Sequence, residues 1–136
     1  MGTPTFVKLN DSWNAEPNDP GEKVTIEGDT VTLTFVLNPW AYVAGEGQRG
    51  HLTFAASKRW RLGSTNDESW FRGRCRYSKI APAWGEFYEI IGPDSAIDQP
   101  EDWVEIHSNN AGQRHFLFYL RDNTFECIAR DWSFEE

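Results

Sequence analysis

The sequence predicts an all-β fold, a single-domain antiparallel β-sandwich or β-barrel of about six to nine short strands with little helix. Apolar and polar residues alternate with a period of two in several segments, and Gly-, Asn-, Asp- and Pro-rich turn motifs separate these segments. No segment has the repeated apolar spacing of an amphipathic helix, so we expect at most a helical turn near residues 38–43 or 95–97.

The length and the aromatic content indicate one domain. The chain has 136 residues, including seven Trp, nine Phe and four Tyr, enough large apolar side chains to form one core without disulfides or metals. We expect a single β domain over residues 1–136, with residues 1–21 as an irregular segment packed on it. Trp13 is expected to pin this segment.

Residues 22–37 predict the clearest hairpin. Gly28-Asp29 is a residue pair that suits a two-residue primed turn, and the segments on either side of it alternate between apolar and polar residues. With the turn placed there, Thr25 lies opposite Thr32 on the solvent side, and the apolar residues share the other side.

A second hairpin is predicted from residues 114–121 and 124–131, with its turn at Asp122-Asn123. This register places Arg114 opposite Asp131 and puts Cys127 on a dry face with the phenylalanines. The opposite face mixes polar and apolar side chains. Further strands are expected near residues 50–61, 69–78, 86–91 and 103–107.

Charge and composition exclude several classes of protein. The net charge of −8 opposes general nucleic-acid binding, because affinity for a polyanion comes from neutralised phosphates. No apolar run reaches the length of a membrane span, and the first residues lack the pattern of a secretory signal. With only two cysteines, outside any CxxC spacing, we expect reduced, buried thiols and a cytoplasmic location.

A basic cluster in this acidic chain is the most unusual feature of the sequence. Arg72, Arg74 and Arg76 alternate along one predicted strand, and Trp60 and Trp70 lie close to them in the sequence. Guanidinium groups bind carboxylates or phosphates and stack on aromatic rings, so this pattern predicts an anion-binding platform. The alternative is a solvated strand face on which these arginines pair with acidic neighbours. The acids considered for that role are Glu86, Glu89, Glu105 and Glu126.

Trp40 and Trp84 lie in predicted loops, where aromatic residues either contact a ligand or close one end of the β structure. The tentative ligand-binding set therefore has seven members: Arg72, Arg74, Arg76, Trp60, Trp70, Trp40 and Trp84.

No catalytic residue, metal site or cofactor is predicted. His51, His107 and His115 show no metal-ligand spacing, although His107 and His115 flank one loop and would approach each other there. Neither cysteine lies in a nucleophile motif, and Glu89 is a lone carboxylate on its strand face.

Three classes of function stay open at this stage. The sequence favours a non-enzymatic protein-interaction domain, such as an inhibitor or immunity-type protein, whose acidic surface meets a basic partner. The second class is a binding module for a small anionic or carbohydrate ligand. The third is a small β-barrel enzyme that works through Glu89 or the histidine pair.

Overall fold

The computed structural model of the chain describes residues 4–11, 13–16, 20–39, 47–63, 86–92, 103–106, 114–120 and 123–136. Within these ranges the backbone forms ten strands in two antiparallel sheets that are not closed into a barrel. The strands are β1 (Thr5–Lys8), β2 (Lys23–Glu27), β3 (Thr30–Val36), β4 (Arg49–Ala55), β5 (Arg59–Gly63), β6 (Phe87–Ile91), β7 (Val104–Glu105), β8 (Arg114–Tyr119), β9 (Thr124–Ala129) and β10 (Asp131–Glu135). The predicted all-β class is confirmed in its sandwich form, with more strands than expected.

The large sheet has the strand order β1-β6-β8-β9-β5-β7, and the small sheet has the order β10-β4-β3-β2. Their inner faces pack together through aromatic side chains. The ring of Phe54 on the small sheet lies 5.3 Å from that of Phe116 and 5.5 Å from that of Phe125, both on the large sheet. This aromatic layer buries the inner face of both sheets.

The hairpin of β2 and β3 has the predicted register, with Thr25 opposite Thr32. Gly28 has a φ of +63°, as its place in a primed turn requires. Val31 and Leu33 on β3 are fully buried, whereas β2 is largely exposed because it lies at the border of the small sheet.

Residues 50–61 form two strands rather than the single strand predicted. β4 belongs to the small sheet and β5 to the large sheet, so the chain crosses between the layers after Ala55. Ala56 adopts a φ of +50°, which bends the chain at this point, and the buried Ser57 donates its hydroxyl to the carbonyl of Phe54 at 2.9 Å. Alanine does not favour a left-handed backbone, so the sequence gives no signal for a bend at this position. The period-two alternation continues across the corner and therefore predicts a single strand.

The predicted strand over residues 124–131 also divides between the sheets. β9 ends at Ala129 in the large sheet, and β10 begins at Asp131 in the small sheet. The two crossings are adjacent, since the Arg130 N–H donates to the carbonyl of Ala55 at 3.0 Å. The chain therefore connects the two sheets twice along the same side of the sandwich.

The closing hairpin of β8 and β9 is displaced by two residues from the predicted register. Arg114 lies opposite Ala129, not opposite Asp131. The difference arises at the turn, where the Leu120 N–H donates to the Asn123 carbonyl at 2.9 Å and leaves residues 121–122 between them. A displacement of two residues keeps each side chain on its predicted face, so the dry face is the expected one.

The start of the chain is more regular than predicted, because residues 5–8 form β1 within the segment expected to be irregular. Trp13 is buried as expected, and its ring stacks on Phe134 at 4.0 Å. Asn10 is a further anchor: its amide donates to Glu86 at 2.7 Å and its Oδ1 accepts from the Phe87 N–H at 3.1 Å.

The central strands β8 and β9 of the large sheet are buried on both faces, whereas the second face of this closing hairpin was expected to be mixed. On the outer face Leu117 and Tyr119 of β8 are buried beside Tyr88 and Ile90 of β6. The outer face of the small sheet, in contrast, is polar and exposed or half-buried. The two sheets therefore offer very different surfaces to a partner.

Candidate functional site

Of the predicted ligand-binding residues, Trp60 is the one that the structure describes. It lies on β5, half-buried, and packs against the core between the sheets. Its buried indole Nε1–H has no acceptor among the described residues. The other six residues lie outside the described ranges, so the anion-binding platform stays a prediction. They are Arg72, Arg74, Arg76, Trp40, Trp70 and Trp84.

A buried ionic cluster lies on the outer face of the large sheet. It was not predicted from the sequence. Arg61 on β5 and Glu126 on β9 are direct cross-strand partners, and Arg61 Nε donates to Glu126 Oε2 at 2.7 Å. His115 on β8 is hydrogen-bonded through Nε2 to the other carboxylate oxygen at 2.8 Å. Arg61 is 3% exposed and Glu126 is 5% exposed, so the three side chains form one desolvated unit.

Trp103 stacks on this cluster. The guanidinium carbon of Arg61 lies 4.1 Å from the centre of its ring, and that of Arg59 lies 4.4 Å from it. The Trp103 ring is also 6.0 Å from that of His115. Arg59 in turn reaches Glu105 on the neighbouring short strand at 3.8 Å. Two cations on one indole ring favour a fixed position for Trp103 over the sheet.

A histidine within hydrogen-bond reach of a carboxylate is the arrangement that a general base requires. Here the carboxylate of Glu126 is shared with Arg61, and all three groups are buried. His115 contacts Glu126 and Trp103, and no hydroxyl or thiol nucleophile bonds to it within the described residues. The three side chains therefore connect strands β5, β8 and β9 through hydrogen bonds.

A second ionic cluster connects the two sheets. Arg114 binds Glu89 through two parallel contacts of 3.0 Å and 2.8 Å, and it binds Asp131 of the small sheet at 3.2 Å. The hydrogen bonds to Glu89 raise the pKa of Arg114 further above its ordinary value, so this cation is always present. The side chains of Arg114 and Asp131 thus form a salt bridge, although the two residues are not paired in the strand register.

The four acids considered as partners for Arg72, Arg74 and Arg76 each bind a cation from another part of the chain. Glu86 binds Lys8 at 3.3 Å, and the partners of the other three have been given above. The described cations and anions of the large sheet are therefore arranged in pairs within the chain: Lys8 with Glu86, Arg114 with Glu89, Arg59 with Glu105 and Arg61 with Glu126.

The outer face of the small sheet is the other candidate surface. Thr25, Thr32, Thr53 and Ser133 lie side by side across its four strands and form a row of hydroxyl groups. Strand β10 adds an acidic border to this face. Because antiparallel strands lie about 4.8 Å apart, these four residues are evenly spaced across the sheet.

Cys127 is fully buried, as predicted, and its thiol lies 3.6 Å from the Ser57 hydroxyl. Burial raises the pKa of Cys127 to about 12, which disfavours the reactive thiolate. In a Cys75→Ser background, we expect a maleimide at pH 8 to label the native protein at least about a hundredfold more slowly than the unfolded chain. Equal labelling rates would show that the core face of β9 has been assigned incorrectly.

The described residues contain no group of three or more His, Cys, Asp or Glu side chains placed to hold a metal ion. In the same ranges we find no helical segment with the length and hydropathy needed to cross a membrane.

Comparison of the chain with models of known protein families, with curated proteins and with solved structures found no match in any of the three. Function has therefore to be argued from the surfaces and ionic clusters described above.

Proposed function

We propose that the chain is a non-enzymatic protein-interaction domain whose partner is a basic protein. The observation that carries this proposal is the contrast between the two sheets. The ionisable groups of the large sheet are used in internal pairs, whereas the small sheet presents a polar outer face to solvent. A surface of this kind is suited to recognition rather than to chemistry.

The acidic border along β10 supports a basic partner. Residues 131–136 contain three acids and no Lys or Arg, and one of these acids, Asp131, binds Arg114. Glu135 and Glu136 are exposed, and Glu135 lies on the outer face because Trp132 and Phe134 point toward the core. Together with a net charge of −8, this border attracts a cationic surface and speeds the encounter with it.

Aromatic residues next to the acids add apolar contact area. Trp132 and Phe134 alternate with the acidic positions and are half-buried at the edge of the sandwich. Aromatic residues are enriched at protein interfaces, and tryptophan is among the residues that contribute most to binding. An interface on β10 would therefore combine electrostatic attraction with a local apolar anchor.

Affinity capture with three immobilised baits tests this proposal: the unmodified chain, Glu135→Lys and, as a control with the same charge change, Asp11→Lys. Asp11 is exposed on the N-terminal segment and is not a residue of the β10 border. Captured proteins are identified by mass spectrometry, and the binding of the purified partner is then measured by calorimetry at low and high salt.

We expect a basic partner whose dissociation constant rises at least about tenfold for Glu135→Lys and little for Asp11→Lys, with weaker binding at high salt. An acidic partner, or one that binds all three baits equally, would refute the proposal.

A further inference from the structure

Strand β2 forms the border of the small sheet on the side opposite β10. It is the most exposed of the small-sheet strands, and Ile26 remains 46% exposed although its side chain is on the core side. An exposed border strand with an uncovered apolar side chain is a template for pairing with another strand.

The turn determines which backbone groups of β2 point outward. A two-residue turn at Gly28-Asp29 is closed by a hydrogen-bonded pair, here Glu27 with Thr30. Along an antiparallel strand, hydrogen-bonded and non-hydrogen-bonded positions alternate. The residues of β2 that direct their N–H and C=O groups toward the open border are therefore Val24 and Ile26.

The neighbouring ladder gives the same result independently. The Leu37 N–H donates to the Gln48 carbonyl at 2.7 Å, which continues the ladder between β3 and β4. Odd-numbered residues of β3 therefore bond to β4, and even-numbered residues, such as Thr30, bond to β2. Among the described residues, the even-numbered positions of β2 are therefore left unpaired along the border.

We propose that this border pairs with β2 of a second copy of the chain, antiparallel and centred on Thr25. In that register Val24 of each copy lies opposite Ile26 of the other, so the outward backbone groups meet in two hydrogen-bonded pairs, or about four hydrogen bonds. Lys23 of each copy then lies opposite Glu27 of the other, with opposite charges directly across the junction.

The charges select this register over its neighbours. Neither Lys23 nor Glu27 forms an ion pair among the described residues, so both charges are available. A slip of one residue would misalign the outward backbone groups, and a slip of two would place one of the charged residues opposite Thr25. A slip of four would place two lysines or two glutamates opposite each other.

The pairing makes one continuous sheet from the small sheets of two copies. It covers Ile26 with Val24 of the partner, and it repeats the same contacts on both sides of a two-fold axis. The contact area is that of two short strands, so we expect a weak and reversible dimer rather than a permanent one.

The test is sedimentation equilibrium of the full chain from about 5 to 500 μM, a range that covers weak interfaces. Lys23→Glu alone and Glu27→Lys alone each place like charges across the junction. An equimolar mixture of the two variants restores opposite charges in the heterodimer, which makes the mixture the decisive sample.

We expect a concentration-dependent dimer for the unmodified chain, a dissociation constant at least about tenfold higher for either variant alone, and recovery in the mixture. A chain that stays monomeric throughout, variants that dimerise as well as the unmodified chain, or a mixture that stays monomeric would overturn the proposal. The inference does not depend on the basic partner, because Glu135 and Lys23 lie on opposite borders of the sheet. Each can fail without the other.

Discussion

Replacing Glu126 with leucine is expected to lower the free energy of unfolding by about 3 to 5 kcal/mol. The substitution leaves Arg61 and His115 buried without the carboxylate that both of them bind. Taking away one member of a buried ionic cluster costs more than the cluster contributes, because the remaining charge stays desolvated. A loss of this size is a large part of the stability of a typical domain.

Urea denaturation followed by tryptophan fluorescence measures this loss. The informative control is the double variant Arg61→Leu with Glu126→Leu, which removes the Arg61 guanidinium together with the carboxylate that binds it. We expect the double variant to be more stable than Glu126→Leu alone. If the single variant lost less than about 1 kcal/mol, Glu126 would have to be solvated in the folded chain.

Phe54→Ala is the second change with a large expected effect, also about 3 to 5 kcal/mol. Phe54 is fully buried on β4, and its ring meets those of Phe87, Phe116 and Phe125 on the large sheet. Its removal leaves a cavity between two layers that are joined by backbone along one side and have little freedom to collapse.

Thr53→Ala provides a matched control, because Thr53 precedes Phe54 on the same strand and points to the outer face. We expect it to change the unfolding free energy by less than about 0.5 kcal/mol. Comparable losses in the two variants would mean that the inner and outer faces of β4 are not those described above. Thermal and urea unfolding of both variants give the comparison directly.

Local chemistry explains why some elements of the fold can be predicted from the sequence and others cannot. The β2–β3 hairpin has a Gly-Asp turn and strict alternation, two signals that agree, and its register is the predicted one. The corner at Ala56 has no such signal, because a left-handed alanine results from the surrounding packing and not from its own preference. In the closing hairpin the side chains lie on the predicted faces, but the register differs from the predicted one. The period of two determines the face of each side chain, whereas only the turn determines which residues pair.

The candidate site was harder to predict for a related reason. Alternation places Arg61, His115 and Glu126 on one face of the sheet, but it does not say whether that face is covered. The sequence suggested Glu126 as a solvated partner for Arg72, Arg74 or Arg76, whereas the structure buries it with Arg61 and His115. Cross-strand register was the missing information, because Glu126 lies directly opposite Arg61 only once β5 and β9 are known to be neighbours. The arginine strand of residues 72–76 stays a prediction.

The burial of β8 and β9 on both faces has a consequence for which substitutions this chain can accept. On β8 and β9 nearly every position is enclosed, so a new side chain there has to fit a space of defined shape and polarity. On β3 and β4 every second position points outward and accepts most polar residues. Accepted substitutions should therefore accumulate on the outer face of the small sheet.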